Sequence, residues 1–167
     1  MTDHATALDI GQDIEFQYRE WSVQRAAWLV GAVLLIAGTL GLFGGGPLSH
    51  AAVTSGPLTV DYDRFVRQRA PMQMTLRIDA SAVNDDAVTV RIDRTYLDKV
   101  DVEHVLPEPD TVAAAGDGAV YRFAVTAGTA SPVEVTFDLE PAEPGMAEGR
   151  ISLDSGSSVD LTQFIYP

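Results

Sequence analysis

The chain contains no cysteine. Disulfides, thiolate metal sites and cysteine nucleophiles are therefore excluded together, and an exported domain without disulfides rests on its apolar core alone. Lysine is nearly missing as well. Lys99 is the single lysine among eleven basic residues, set against 24 acidic ones, for a formal net charge of −13. Phosphate neutralisation needs a stripe of Lys and Arg, so no nucleic-acid partner is expected. The one basic cluster is Arg64, Arg67 and Arg69 in DRFVRQRAP. Catalytic signatures are missing too: no G-x-S-x-G elbow, Walker loop or G-x-G-x-x-G follows a strand-like segment. His4, His50 and His104 share no spacing that would bring imidazoles to one metal, and no D-x-D-x-D-G calcium loop is present. No catalytic residue, metal ligand or cofactor is therefore expected.

What the chain does have is one long uncharged run, Ala26 to Leu48, AAWLVGAVLLIAGTLGLFGGGPL. A hydrocarbon core about 30 Å thick takes roughly 20 mostly apolar residues at helical rise, so the run predicts a single transmembrane helix over 26–48. Residues 1–25 form a leader. Within it Ile14, Tyr18, Trp21 and Arg25 recur at helical spacing, which predicts a short amphipathic helix at the membrane surface. Trp21, Arg25 and Trp28 are expected at the membrane interface, where an aromatic ring keeps its N–H hydrated. Phe16, Tyr18 and Trp21 offer an alternative reading as a docking face for a cytoplasmic partner. Arg19 and Arg25 precede the run, whereas the next basic residue after it is Arg64. That asymmetry predicts a cytoplasmic amino end and a carboxy-terminal domain on the far side of a bacterial inner membrane. A cleaved signal peptide ending near Ser49-His50-Ala51 is the rival; it is disfavoured by the length of the run and by Glu15 and Glu20 in the leader. Ala37, Gly41 and Gly45 sit four apart, a small-residue stripe that lets a second helix approach closely. Gly44-Gly45-Gly46-Pro47 then stops the helix.

Beyond a tether at 49–57 the texture changes to a period of two. Leu58, Val60 and Tyr62 alternate with polar residues, as do Met72, Met74, Leu76 and Ile78. Val88 to Ile92, Tyr121 to Val125, Val133 to Leu139, Ile151 with Leu153, and Val159 with Leu161 continue the pattern. Turn clusters such as Asn84-Asp85-Asp86 and Gly116-Asp117-Gly118 separate them. Residues 58–167 are thus expected to form a mainly β domain, an antiparallel sandwich of seven to eight strands, immunoglobulin-like. Tyr96 to Asp110 reads as an irregular strand pair. The Arg64, Arg67 and Arg69 cluster reads either as a contact for lipid phosphates or an acidic neighbour, or as a charged edge that discourages sheet-to-sheet pairing.

REWSVQRAAWLV, LFGGGPLS, GPLTVDYDRFVRQRAP and the closing LTQFIYP resemble a family of bacterial single-pass membrane proteins with an exported β-domain and no established activity. The resemblance covers nearly the whole chain. It implies the span and the exported domain, and it carries over no activity, cofactor or site residue. Members stand beside a small multi-spanning membrane protein, which implies a membrane partner. Together these readings predict a non-enzymatic accessory or interaction subunit. Its expected partners are the lipid bilayer and another integral membrane protein or a second copy. An exported ligand- or calcium-binding sensor is the alternative, with an envelope enzyme disfavoured.

Overall fold

The computed structural model describes residues 13–39, 46–125 and 132–167. They divide into two compact units, Met1–Thr39 and Leu40–Pro167.

The described part of the first unit is one helix, α1 (Asp13–Thr39). It begins in the polar segment DIEFQYREWSVQR, so the leader's helix and the described start of the apolar run, through Thr39, are a single element. Among the described residues no helix is long and apolar enough to cross a membrane. The transmembrane helix expected over 26–48 is thus not found among them. Its described uncharged part, Ala26–Thr39, rises only about 21 Å at 1.5 Å per residue, short of a hydrocarbon core. Residues 40–45, which include Gly41 and Gly45 of the small-residue stripe, lie outside the described residues. From 46 the chain is turn and then strand.

The second unit is mainly β, with two sheets sharing one core. Its strands are β1 (His50–Ser55), β2 (Leu58–Asp63), β3 (Phe65–Arg67), β4 (Met72–Ile78), β5 (Ala87–Asp93) and β6 (Val100–Leu106). They continue as β7 (Thr111–Ala115), β8 (Gly118–Ala124), β9 (Val133–Pro141), β10 (Gly145–Leu153) and β11 (Ser158–Tyr166), with a one-turn helix α2 (Arg94–Leu97) between β5 and β6. One sheet runs β1-β2-β4-β9-β6 and the other β3-β11-β10-β5-β8-β7. The seven alternating segments of the sequence are β2, β4, β5, β8, β9, β10 and β11. The described strands number eleven, because four carry no alternation of the expected length. The stretch expected as a tether contains β1, paired with β2 along its whole length.

Alternation explains the packing. Leu58, Val60 and Tyr62, then Met74, Leu76 and Ile78, point inward from one sheet; Val88, Val90, Ile92, Ile151, Leu161 and Ile165 point inward from the other. They close one apolar cluster. Tyr121 meets Phe137 across the sheets edge to face, centroids 5.2 Å apart. Tyr96 of α2 is fully buried, and its hydroxyl donates to Gln163 Oε1 at 2.6 Å. Gln163 in turn donates to the Asp63 carbonyl at 2.6 Å. Ser49 and Gln163 are the buried polar residues among those described, and both are hydrogen-bonded, as a dry core requires.

Candidate functional site

The feature that stands apart from this packing is the segment carrying the arginines. At Asp63 the chain leaves the first sheet. Ser49 guides it: its Oγ donates to the Phe65 carbonyl at 3.1 Å and accepts from the Phe65 N–H at 3.2 Å, while the Arg64 N–H donates to the Ser49 carbonyl at 2.7 Å. Phe65–Arg67 then joins the second sheet as β3, parallel to β11, with Phe65 beside Phe164 and Arg67 beside Tyr166. A turn at Arg69, φ +56°, sends the chain back to the first sheet through Pro71 and β4. Gln68 holds that turn, its Nε2 donating to the Ala142 carbonyl at 2.8 Å.

Arg64, Arg67 and Arg69 are all exposed. Among the described residues they make no ion pair. Other cations do: Arg77 with Asp61 at 2.7 Å, Arg91 with Asp117 at 3.1 Å, Arg94 with Asp98 at 3.8 Å, Lys99 with Glu143 at 2.6 Å and Arg150 with Asp160 at 2.7 Å. Besides the β3 cluster, Arg122 on β8 is the other described arginine without a partner. The bond to Lys99, and then its charge, hold the exposed Glu143 carboxyl below its ordinary range. Burial, and secondarily Tyr62, push the Tyr96 hydroxyl far above its ordinary value; burial raises Tyr121 as well.

The face that β3 presents is apolar beside its charges. Phe65, Phe164 and Met146 follow one another across β3, β11 and β10 by register. Phe164 is 44% and Met146 52% exposed. Leu48, next to Ser49, is also exposed. Farther along the same outer face come Glu148 and Thr162, then the Arg150–Asp160 pair.

On its other side β3 borders an open groove of about 770 Å³ whose lining includes Asp63, Arg67, Gln73, Glu103, His104 and Asp138. The register shift between Val102 and His104 turns both Glu103 and His104 to solvent, as a bulge does. Asp138 accepts from Gln73 Nε2 at 2.9 Å. The groove is open, Phe65, Pro71 and Met72 also line it, and its arrangement assembles no nucleophile with a base. Among the described residues no group of three or more His, Asp or Glu is placed to hold a metal ion.

The helix carries the remaining expected residues. Trp21 and Trp28 are exposed, and the Arg25 guanidinium lies 4.6 Å from the centre of the Trp21 ring, a cation–π contact. Ala37 is on α1, partly covered. Ala27 and Gly31 border a shallow notch beside Trp28. Arg64, Arg67 and Arg69 all lie on or beside β3 and are exposed. Sequence reasoning missed Phe164 and Met146, although Phe164-Ile165 breaks the alternation of β11 by placing an apolar residue on each face.

No protein-family model matches the chain, and no curated protein matches it by sequence. Among solved structures it is similar to a cohesin module from a family 33 glycoside hydrolase of Clostridium perfringens ATCC13124. That match has 13% identity, covers 68% of this chain and 98% of the other, and has a TM-score of 0.44. It is also similar to domains 4 and 5 of the S-layer protein SbsC, at 13% identity over 71% of this chain and 54% of that one, TM-score 0.39. Neither likeness assigns a role to this chain.

Proposed function

We propose that this chain is a non-enzymatic interaction subunit attached to the bacterial inner membrane. In this reading α1 is seated in lipid, its amino end faces the cytoplasm, and the β-sandwich is displayed on the extracytoplasmic side to bind another integral membrane protein or a second copy. One observation carries the reading. Val23, Leu29, Val30, Val33, Leu34, Leu35 and Ile36 are each more than half exposed on α1. Burying seven such side chains is worth on the order of 10 kcal/mol, and lipid is a solvent that supplies it. The described helix is too short to cross by itself, so a crossing also draws on the apolar sequence at 40–43.

An immunoglobulin-like arrangement is supported by strand order: β2-β4-β9-β6 faces β11-β10-β5, the order ABED against GFC, and β3 runs parallel to the last strand. The test is alkaline carbonate extraction of native membranes, protease protection in spheroplasts, and crosslinking with mass spectrometry of co-purifying chains. Retention in the pellet, a protease-accessible domain and a recurrent membrane-protein partner are expected. Release of the chain by carbonate overturns the attachment; a chain crosslinked to nothing overturns the subunit role.

A further inference from the structure

We infer that the β3 face of the sandwich is an anionic-lipid contact: Arg64, Arg67 and Arg69 meet headgroup phosphates while Phe164 and Met146 rest at the headgroup level. The inference rests on the lipid attachment proposed above.

Three observations converge on it. First, the chain carries net charge −13, yet these three guanidiniums stand exposed on one short segment without carboxylate partners among the described residues. In a protein with 24 acidic residues, five cations elsewhere in the domain have found one. Unpaired arginines grouped this way suit an external anion, and a guanidinium pairs with phosphate through parallel N–H donors. Second, the outward positions beside them hold Phe164 and Met146, where neighbouring strand positions hold Thr162 and Glu148. Apolar side chains next to arginines on one face match the layered chemistry of a membrane surface, phosphates outside and acyl chains beneath. Third, the chain comes into the domain at this face. Ser49 is bonded to the backbone of Phe65, and only residues 40–45 separate Thr39 from Gly46.

The absence of cysteine permits a clean test. Met146→Cys in the full chain is labelled with a polarity-sensitive fluorophore, with Thr136→Cys on the outer face of the first sheet as the control position. Each is reconstituted into vesicles of phosphatidylcholine alone or with phosphatidylglycerol, and flotation is scored in the same samples. The expected result is a blue shift at position 146 in anionic vesicles only. It is lost in the Arg64→Glu/Arg67→Glu/Arg69→Glu variant and in concentrated salt, where the screening length falls to about 3 Å; position 136 does not shift. Near-ultraviolet circular dichroism confirms that the triple variant is folded. Flotation without a shift overturns the headgroup contact and leaves the attachment intact, whereas failure to float overturns both. A shift that follows protein density instead of lipid charge identifies a second copy as the occupant, and this too overturns the inference.

Discussion

Replacing Gly149 by alanine tests the packing of α2 on the sandwich. Gly149 lies in β10 opposite Leu161. A Cβ there would stand 2.3 Å from Tyr96 Cβ, 3.2 Å from its Cγ and 3.3 Å from its Cα. Carbon atoms rest at about 3.5–4.0 Å, so Tyr96 must retreat by more than an ångström. It is not free to do so, because the ring is fully buried and its hydroxyl is held by Gln163 at 2.6 Å. Overpacking of this kind costs about 1–3 kcal/mol. If the retreat breaks the hydroxyl bond, an unsatisfied buried amide oxygen adds about 1–3 kcal/mol. With the bond broken the expected loss is therefore about 2–6 kcal/mol, or a drop of roughly 10–20 °C in the melting temperature of a domain this size. Thermal and urea unfolding of the full chain, followed by near-ultraviolet circular dichroism, measures it. In a Tyr96→Phe background the cost of Gly149→Ala should shrink by about 1 kcal/mol, because the bond is already gone while the clash remains. A Gly149→Ala protein within about 0.5 kcal/mol of the parent would refute the reasoning.

Ser49→Ala removes an acceptor from the Phe65 N–H and a donor from its carbonyl. We expect about 1–3 kcal/mol of destabilisation, with faster amide exchange at Arg64 and Phe65 than in the core strands; unchanged protection there would count against the bond. Tyr96 and Tyr121 have hydroxyls raised by burial. The folded state thus keeps protons that the unfolded chain loses near pH 10, and stability falls as the pH rises above that value. Absorbance at 295 nm should show both tyrosines ionising late, Tyr96 only as the domain unfolds; titration of all five tyrosines with tertiary structure intact would contradict this. Lys99→Ala should return the Glu143 carboxyl upward to its ordinary range, observable by carbon-detected NMR titration, since the Lys99 bond is what lowers it.

Most of the sandwich was legible because its strands are half-buried. Val133, Val135, Phe137 and Leu139 announce β9 by period alone, and the pairing of β9 with both β4 and β6 follows from its place in the middle of a sheet. β1 and β7 were not legible in the same way. The inward face of HAAVTS offers only Ala51 and Val53, and TVAAA is exposed along nearly its whole length, so neither shows the run of large apolar residues that marks the other strands. The helix was legible as an apolar run, and its start was not. The amphipathic segment from Asp13 is continuous with the described start of the uncharged run, because no turn residue separates them. At the candidate site Arg64, Arg67 and Arg69 were visible as a cluster. Their apolar neighbours were not, because Met146 and Phe164 become adjacent only through the β10–β11 register. Gln163 sits at an inward position of β11, so its burial could be inferred from alternation, whereas its partner Tyr96 lies 67 residues away and only the fold brings it there.

Ser49 also has a mechanical meaning. A pull delivered along the chain from residue 46 arrives at Ser49 before it reaches β1. There it is shared: the strand that follows belongs to one sheet, while Arg64 and Phe65, to which Ser49 is bonded, lead into β3 and so into β11 of the other. A tug that would otherwise peel an edge strand of small residues off its neighbour is instead divided between two sheets. Ser49 is a strain relief, the knot that keeps a load on the cord from reaching the first stitch.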